Sequence, residues 1–323
     1  MFYRSVMTLP REFRRLRIAL IGFGDVAKRT FAQRAACPSA RHGPRFVLVS
    51  RSPLSAPPAG LHNALRSIRS QALAVDVDQY AALRRLLRVP NASIIYVPTA
   101  EQSNQPSDHD RRGRRLASAY RALTQRTPIV YLSTTGVYGH HHDAVVDEMA
   151  RCKTTQARSR RRLDAERQLR PLGAHVLRVP GIYGHDRLPL ARLQARQPAL
   201  WPEDDVYTNH IHADDLAHAA WIALFRGKPG RITNAVDQTQ MKMGEYFDAV
   251  ADATGLPRPP RVLRDELNAL AQQGVIHSMM MSFMADSRRV TTKRLQQELG
   301  VRLRYPTVQH ALNTLRSAQR STS

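Results

Sequence analysis

The run Tyr131-Leu-Ser-Thr-Thr-Gly-Val-Tyr-Gly139 sets three adjacent hydroxyls, Ser133, Thr134 and Thr135, between an apolar segment and a glycine-bounded turn. Hydroxyls at such a point can hold the oxygen of a carbonyl or an alcohol. Chemistry on that oxygen also needs a group able to exchange a proton with it. The usual one is a tyrosine with a lysine one helical turn on, at i+4. None of the ten tyrosines here has a lysine four residues later.

A second constellation, Gly22-Phe23-Gly24-Asp25-Val26-Ala27, has the form G-x-G-x-x-A. Placed after a strand and opening a helix, it suits a dinucleotide pyrophosphate. The first glycine allows the tight turn, the second lets backbone approach the phosphates, and Ala27 permits close helix–strand packing. The helix N-terminus then offers unbonded N–H groups. The next apolar run ends in Ser50-Arg51-Ser52. An NAD site would place a carboxylate there for the ribose 2′-hydroxyl. A guanidinium between two hydroxyls instead suits the 2′-phosphate of NADP(H), which is the expected cofactor in preference to NAD(H).

Parallel strands must carry these residues. Apolar runs at Arg17–Ile21, Phe46–Ser50, Gln71–Val75, Ser93–Val97, Pro128–Ser133, Ala174–Arg178 and Arg231–Ala235 alternate with helical stretches near Val26–Ala36, Asp78–Leu87, Asp108–Thr124, Gln156–Leu169 and Ala213–Phe225. That rhythm predicts an α/β fold, a Rossmann-type doubly wound parallel sheet. The expected organisation is a basic N-terminal extension (1–17), a dinucleotide-binding domain (18–180), a segment completing the sheet and forming a smaller substrate lobe (181–310), and a C-terminal tail (311–323).

The ordered set of glycine turn, hydroxyl turn, Val137-Tyr138-Gly139, Arg178-Val-Pro-Gly-Ile-Tyr-Gly184 and His210-Ile-His-Ala-Asp-Asp-Leu-Ala217 resembles the extended short-chain dehydrogenase/reductases, also called NAD-dependent epimerase/dehydratases. The resemblance covers roughly Ile18 to Ala235, with an echo at Arg288–Pro306. It implies that Thr134 holds the substrate oxygen. Counting back from Leu163-Asp-Ala-Glu166, the family's tyrosine and lysine fall on Arg158 and Arg162. The chain thus looks like an atypical member, and its first turn departs from the family's more usual G-x-x-G-x-x-G. Arg158 keeps its proton at physiological pH, so it can stabilise an oxyanion but cannot alternate as acid and base. Arg162 could hold ribose hydroxyls, and Tyr138 and Tyr183 are candidate substitute donors. Further cofactor contacts are expected at Asp76, Val97, Pro98, Ser133 and Pro180. The implied activity is an NAD(P)-dependent oxidoreductase or epimerase acting on a small hydroxyl- or carbonyl-bearing metabolite. A non-catalytic NADP-binding sensor is the alternative.

Net charge is +23, and five lysines stand against 44 arginines spread over the whole length. That dispersal fits solvated helix faces better than a nucleic-acid groove, and no nucleic-acid-binding motif accompanies it. No apolar run approaches the ~20 residues of a membrane span. Two cysteines make no disulfide framework, which places the expected site of action in a reducing cytoplasm. His140-His141-His142 lacks the spacing of a structural zinc site, so no metal is expected. In relatives the helices beside the fifth strand form dimers, which leaves a homodimer open here.

Overall fold

Seven apolar runs pair into one parallel sheet in the computed structural model, which describes residues 16–37, 43–53, 69–96, 108–125, 127–274, 276 and 278–320. In chain order the strands are β1 (Arg17–Ile21), β2 (Arg45–Ser50), β3 (Ser70–Ala74), β4 (Ala92–Ile95), β5 (Ile129–Thr134), β6 (His175–Val179) and β7 (Ile232–Asn234). Each boundary lies within two residues of the one read from sequence. The spatial order is β7-β6-β5-β4-β1-β2-β3, parallel throughout. Because the order reverses between β1 and β4, connections leave on opposite sides there and a crevice opens at the strands' carboxyl ends.

Strands covered on both faces run nearly continuously apolar. β4 and β6 are buried throughout, and β1 is buried from Ile18 onward. Edge strand β3 is only partly covered. Side chains of β1 alternate between two cores: Ile18 and Leu20 join one, Ala19 and Ile21 the other. The first core is closed by α1 (Asp25–Ala35) and α5 (Ala213–Arg226), through Phe31 and Trp221. The second is closed by α2 (Tyr80–Leu87), α3 (Arg111–Arg121) and α4 (Ala157–Leu169), through Leu83, Leu116 and Leu169.

A third core, built from Tyr183, Leu193, Leu200, Phe247, Leu267 and Leu312, forms the smaller lobe. It includes α6 (Met243–Thr254) and α7 (Val308–Arg320). The expected tail from residue 311 is therefore a correction, because α7 runs through it and buries Ala311 and Leu312 in that core. Val308, Ala311, Leu312 and Leu315 follow the i, i+3, i+4, i+7 spacing of a helix with one buried face. Among the described residues, no helix is long and apolar enough to cross a membrane.

Helices α3 and α4 touch at Gly113, where a Cβ would stand 2.7 Å from the Cβ of Ala165 and 3.1 Å from its Cα. Gly113→Val should push α3 away from α4 and destabilise the protein by about 1–3 kcal/mol. Urea unfolding measures this, and an unchanged midpoint would contradict the close approach.

Candidate active site

Strand β1 hands the chain to α1 through Gly22, whose φ of +89° lies in the left-handed region that favours glycine. Gly24 caps α1 with extended backbone and no side-chain hydrogen bond. A Cβ built on Gly24 meets no atom within 4 Å, so the backbone there borders open space. An uncapped helix start beside bare backbone is what a pyrophosphate needs, and these residues fit that group. Asp25, the first helical residue, brings a carboxylate to the same place. Two guanidiniums offset it: Arg29 Nε donates to both its oxygens at 3.1 and 3.2 Å, and Arg187 Nη1 donates at 2.8 Å. Arg29 also binds Asp214 at 2.8 Å and pairs with Asp186, joining α1, α5 and the loop after β6.

The turn opens into a cleft of about 670 Å³. Gly22, Gly24, Asp25, Val26 and Ala27 form one wall. Ser133 and Thr134 at the end of β5, Arg158 and Arg162 on α4, and Pro180 and Tyr183 after β6 form others. Thr134 Oγ1 accepts the Gly136 N–H at 3.1 Å, which leaves its own proton available to a ligand. Arg162 donates from Nη1 to the Tyr131 hydroxyl at 3.0 Å and to the Leu132 carbonyl at 3.2 Å, fixing its stem against β5. The Arg158 guanidinium lies over the Phe283 ring, 4.9 Å from its centroid. Burial, then the Arg162 and Arg161 charges, lower its hold on its proton.

Several expected site residues are otherwise engaged. Ser133 borders the cleft, but its hydroxyl donates to Glu166 Oε1 at 2.5 Å. Glu166 in turn accepts from Arg178 at 2.8 and 3.2 Å, and both side chains are almost wholly buried. Tyr138 is a correction: it is fully buried away from the cleft, donates to Asn234 Oδ1 at 2.7 Å, and has the Arg178 guanidinium over its ring. Tyr183 lines the cleft but is almost wholly buried, and burial with the neighbouring Asp237 carboxyl pushes its phenol well above the ordinary range.

Phe23 turns into the core against Phe31 rather than toward the cleft. Ser50 donates to the Ser52 carbonyl at 2.6 Å, and Arg51 and Ser52 are exposed where β2 ends. Asp76 accepts the Asp78 N–H at 2.9 Å in a local turn. Val97 and Pro98 lie outside the described residues. Among the described residues, no group of three or more metal-ligating side chains converges. His140 Nδ1 accepts the Ser287 N–H at 2.9 Å, and His141 contacts the Arg151 carbonyl, so both serve loop packing.

Sequence reasoning missed the far wall. Gln156 binds Asp286 at 3.1 Å and the Ser282 carbonyl at 2.6 Å, drawing residues 280–288 over the start of α4. Arg288, nine-tenths buried, donates to the Gly139 carbonyl at 2.9 Å and faces Asp286 at 3.7 Å. His210 also lines the cleft, stacked near Tyr246 at 4.4 Å and pushed by burial down to about 3. Gln156 and residues 280–286 lie outside those motifs, Arg288 fell within the echo at Arg288–Pro306, and His210 opened the His210–Ala217 motif without being read as a cleft residue.

No family model and no curated protein matches the sequence. Solved structures do match. A functionally unknown conserved protein from Silicibacter pomeroyi superposes with a TM-score of 0.71 at 25% identity, over 94% of this chain and 99% of that one. A putative NAD-dependent epimerase/dehydratase from Methylobacillus flagellatus gives 0.66 at 22%, over 94% and 99%. A dTDP-glucose 4,6-dehydratase from Streptomyces venezuelae, solved with NAD bound, gives 0.71 at 16%, over 94% and 96%. The fold is that of the extended short-chain dehydrogenase/reductases.

Behind Tyr183, Asp237 is buried near Tyr246 and Asp215, and burial raises its carboxyl to about 7 despite the Thr239 N–H. The folded state therefore keeps a proton that the unfolded carboxyl loses near pH ~4. Its contribution to stability falls as pH rises from about 4 to 7. Asp237→Asn removes that loss, so the variant's unfolding free energy minus wild type's should rise between pH 5 and 8. A difference independent of pH would show that Asp237 titrates normally.

Proposed function

We propose that this protein is an atypical NAD(P)-dependent oxidoreductase or epimerase of the short-chain dehydrogenase/reductase superfamily, acting on a hydroxyl or carbonyl of a small metabolite. One juxtaposition supports the reading above others. The open Gly22–Gly24 turn and the Thr134 hydroxyl border a single cleft, with Arg158 and Arg162 between them on α4. A nicotinamide dinucleotide, when bound, supplies hydride exchange at carbon. The chain's own residues do the rest. Gly22, Gly24 and the N–H groups starting α1 receive the pyrophosphate, and Arg162 holds ribose hydroxyls from its anchored position. Thr134 donates to the substrate oxygen, and Arg158 stabilises negative charge developing there without giving up a proton.

NADP is the preferred cofactor in this reading. Arg51 is exposed at the end of β2, next to two serines and with no acidic residue in the Ser50–Ser52 turn, which favours a 2′-phosphate over a bare ribose. The two free cysteines suit a reducing cytoplasm. One observation favours a second reading, a non-catalytic NADP-binding sensor: a guanidinium at 158 cannot shuttle protons.

Fluorescence titration with NADPH and NADH, then a panel of carbonyl substrates, tests these readings. Wild type should bind NADPH more tightly and oxidise it with at least one substrate; binding without turnover across the panel would favour the sensor. Gly24→Val should fold normally, since its extended backbone suits any residue and the space is open, yet lose at least tenfold in dinucleotide affinity. Undiminished affinity would remove the assignment. Arg51→Asp should reverse the preference between the two dinucleotides; an unaltered preference would remove the role given to Arg51.

A further inference from the structure

The charges lining the cleft do not balance. Among its described lining residues, the guanidiniums of Arg158, Arg162, Arg187 and Arg288 face the carboxylates of Asp25 and Asp286. Both carboxylates are already engaged. Asp25 is bound by Arg187 and Arg29, and Asp286 by Gln156 with Arg288 at 3.7 Å. Arg158, half-buried, has no hydrogen bond or ion pair with any described residue; its one close partner is the Phe283 ring. It also sits in the first turn of α4, where the helix dipole opposes a cation and Gln156 provides no side-chain cap. Arg288 adds a buried Nε–H that meets no acceptor among the described residues. A partly desolvated cation that no described residue answers, at the positive end of a helix, is costly unless something else answers it.

A neutral carbonyl oxygen is a weak answer, because its charge appears only in passing. We propose that the cleft takes a substrate carrying a carboxylate close to the reacting carbon, and that Arg158 binds this carboxylate beside Thr134. The planar fork of a guanidinium matches a carboxylate with two parallel hydrogen bonds. The Phe283 ring packs against the guanidinium, 4.9 Å from centroid to Cζ, which limits its freedom to swing away. The substrate class is then a 2-oxo or 2-hydroxy acid, or a sugar acid, rather than a neutral sugar. This deepens the oxidoreductase reading of the same cleft and rests on it for the reaction, though the binding step stands on Arg158 alone.

Calorimetry with oxalate, a compact mimic of a 2-oxo acid, tests the subsite in the full-length protein, with inorganic phosphate and NADPH titrated separately. Oxalate should bind with one site per chain. Arg158→Gln should weaken it at least tenfold, and Arg158→Lys should fall between, keeping charge but not the fork. Arg160→Gln, on the same helix but paired with Asp108, should leave oxalate binding unchanged and so controls for the general basicity of the chain. NADPH affinity should change less than threefold in Arg158→Gln. Removing a cation that pairs with no described residue should not impair folding, and a thermal melt checks each variant. The proposal is overturned if oxalate fails to bind, if Arg158→Gln binds it as tightly as wild type, or if phosphate binds where oxalate does not. Arg158-dependent oxalate binding without any NADPH binding would keep the carboxylate subsite and remove the oxidoreductase reading instead.

Discussion

A buried ion pair, Glu166 with Arg178, fixes how α4 lies on the sheet, and the candidate site depends on that placement. Arg178 projects from β6 and meets both Glu166 oxygens, while Ser133 at the end of β5 donates to one of them. One carboxylate thus ties a helix to two neighbouring strands. Taking both charges out of water offsets much of their attraction, so the pair is weak evidence for stability. Its geometric effect is clear: with Glu166 held, residues 158 and 162, two turns and one turn earlier, must face the cleft.

The same cluster explains which side chains the site does and does not use. Arg178 lies over the Tyr138 ring, and Tyr138 donates to Asn234 on β7. Ser133 and Tyr138, both plausible ligand contacts in a linear reading, are committed to holding β5, β6, β7 and α4 together. Of the two hydroxyls that end β5, Thr134 is the one left for a ligand. On the cofactor side a comparable tie operates in the open, where Arg29 and Arg187 offset Asp25 and keep a carboxylate at the helix start from standing unanswered. Partly exposed pairs of this kind contribute little stability.

The lobe is held by different means. Asp215, at the start of α5, accepts the N–H groups of Arg304 and Tyr305 at 2.8 Å each and so anchors the chain entering α7. Gln156 does the equivalent for residues 280–288. In both cases a side chain satisfies backbone or loop groups far off in sequence, and the contact brings Phe283 and Arg288 to the cleft.

What the sequence by itself determined follows from local rules. Continuous apolar runs had to become strands buried on both faces, Gly22 had to take a left-handed turn, and the step from β1 to α1 had to expose backbone at Gly24. These depend on neighbours in the chain, so the sheet, its strand limits and the glycine turn were legible. The engagement of Ser133 and Tyr138, the burial of Tyr183, the helical fate of residues 311–320 and the arrival of Arg288 were decided only in three dimensions. Each turns on burial or on a partner from another strand or from residues scores of positions away, and no spacing rule carries that information. Arg158 shows both sides: its position came from counting along α4, but that its charge meets no carboxylate among the described residues became visible only when the walls of the cleft were assembled.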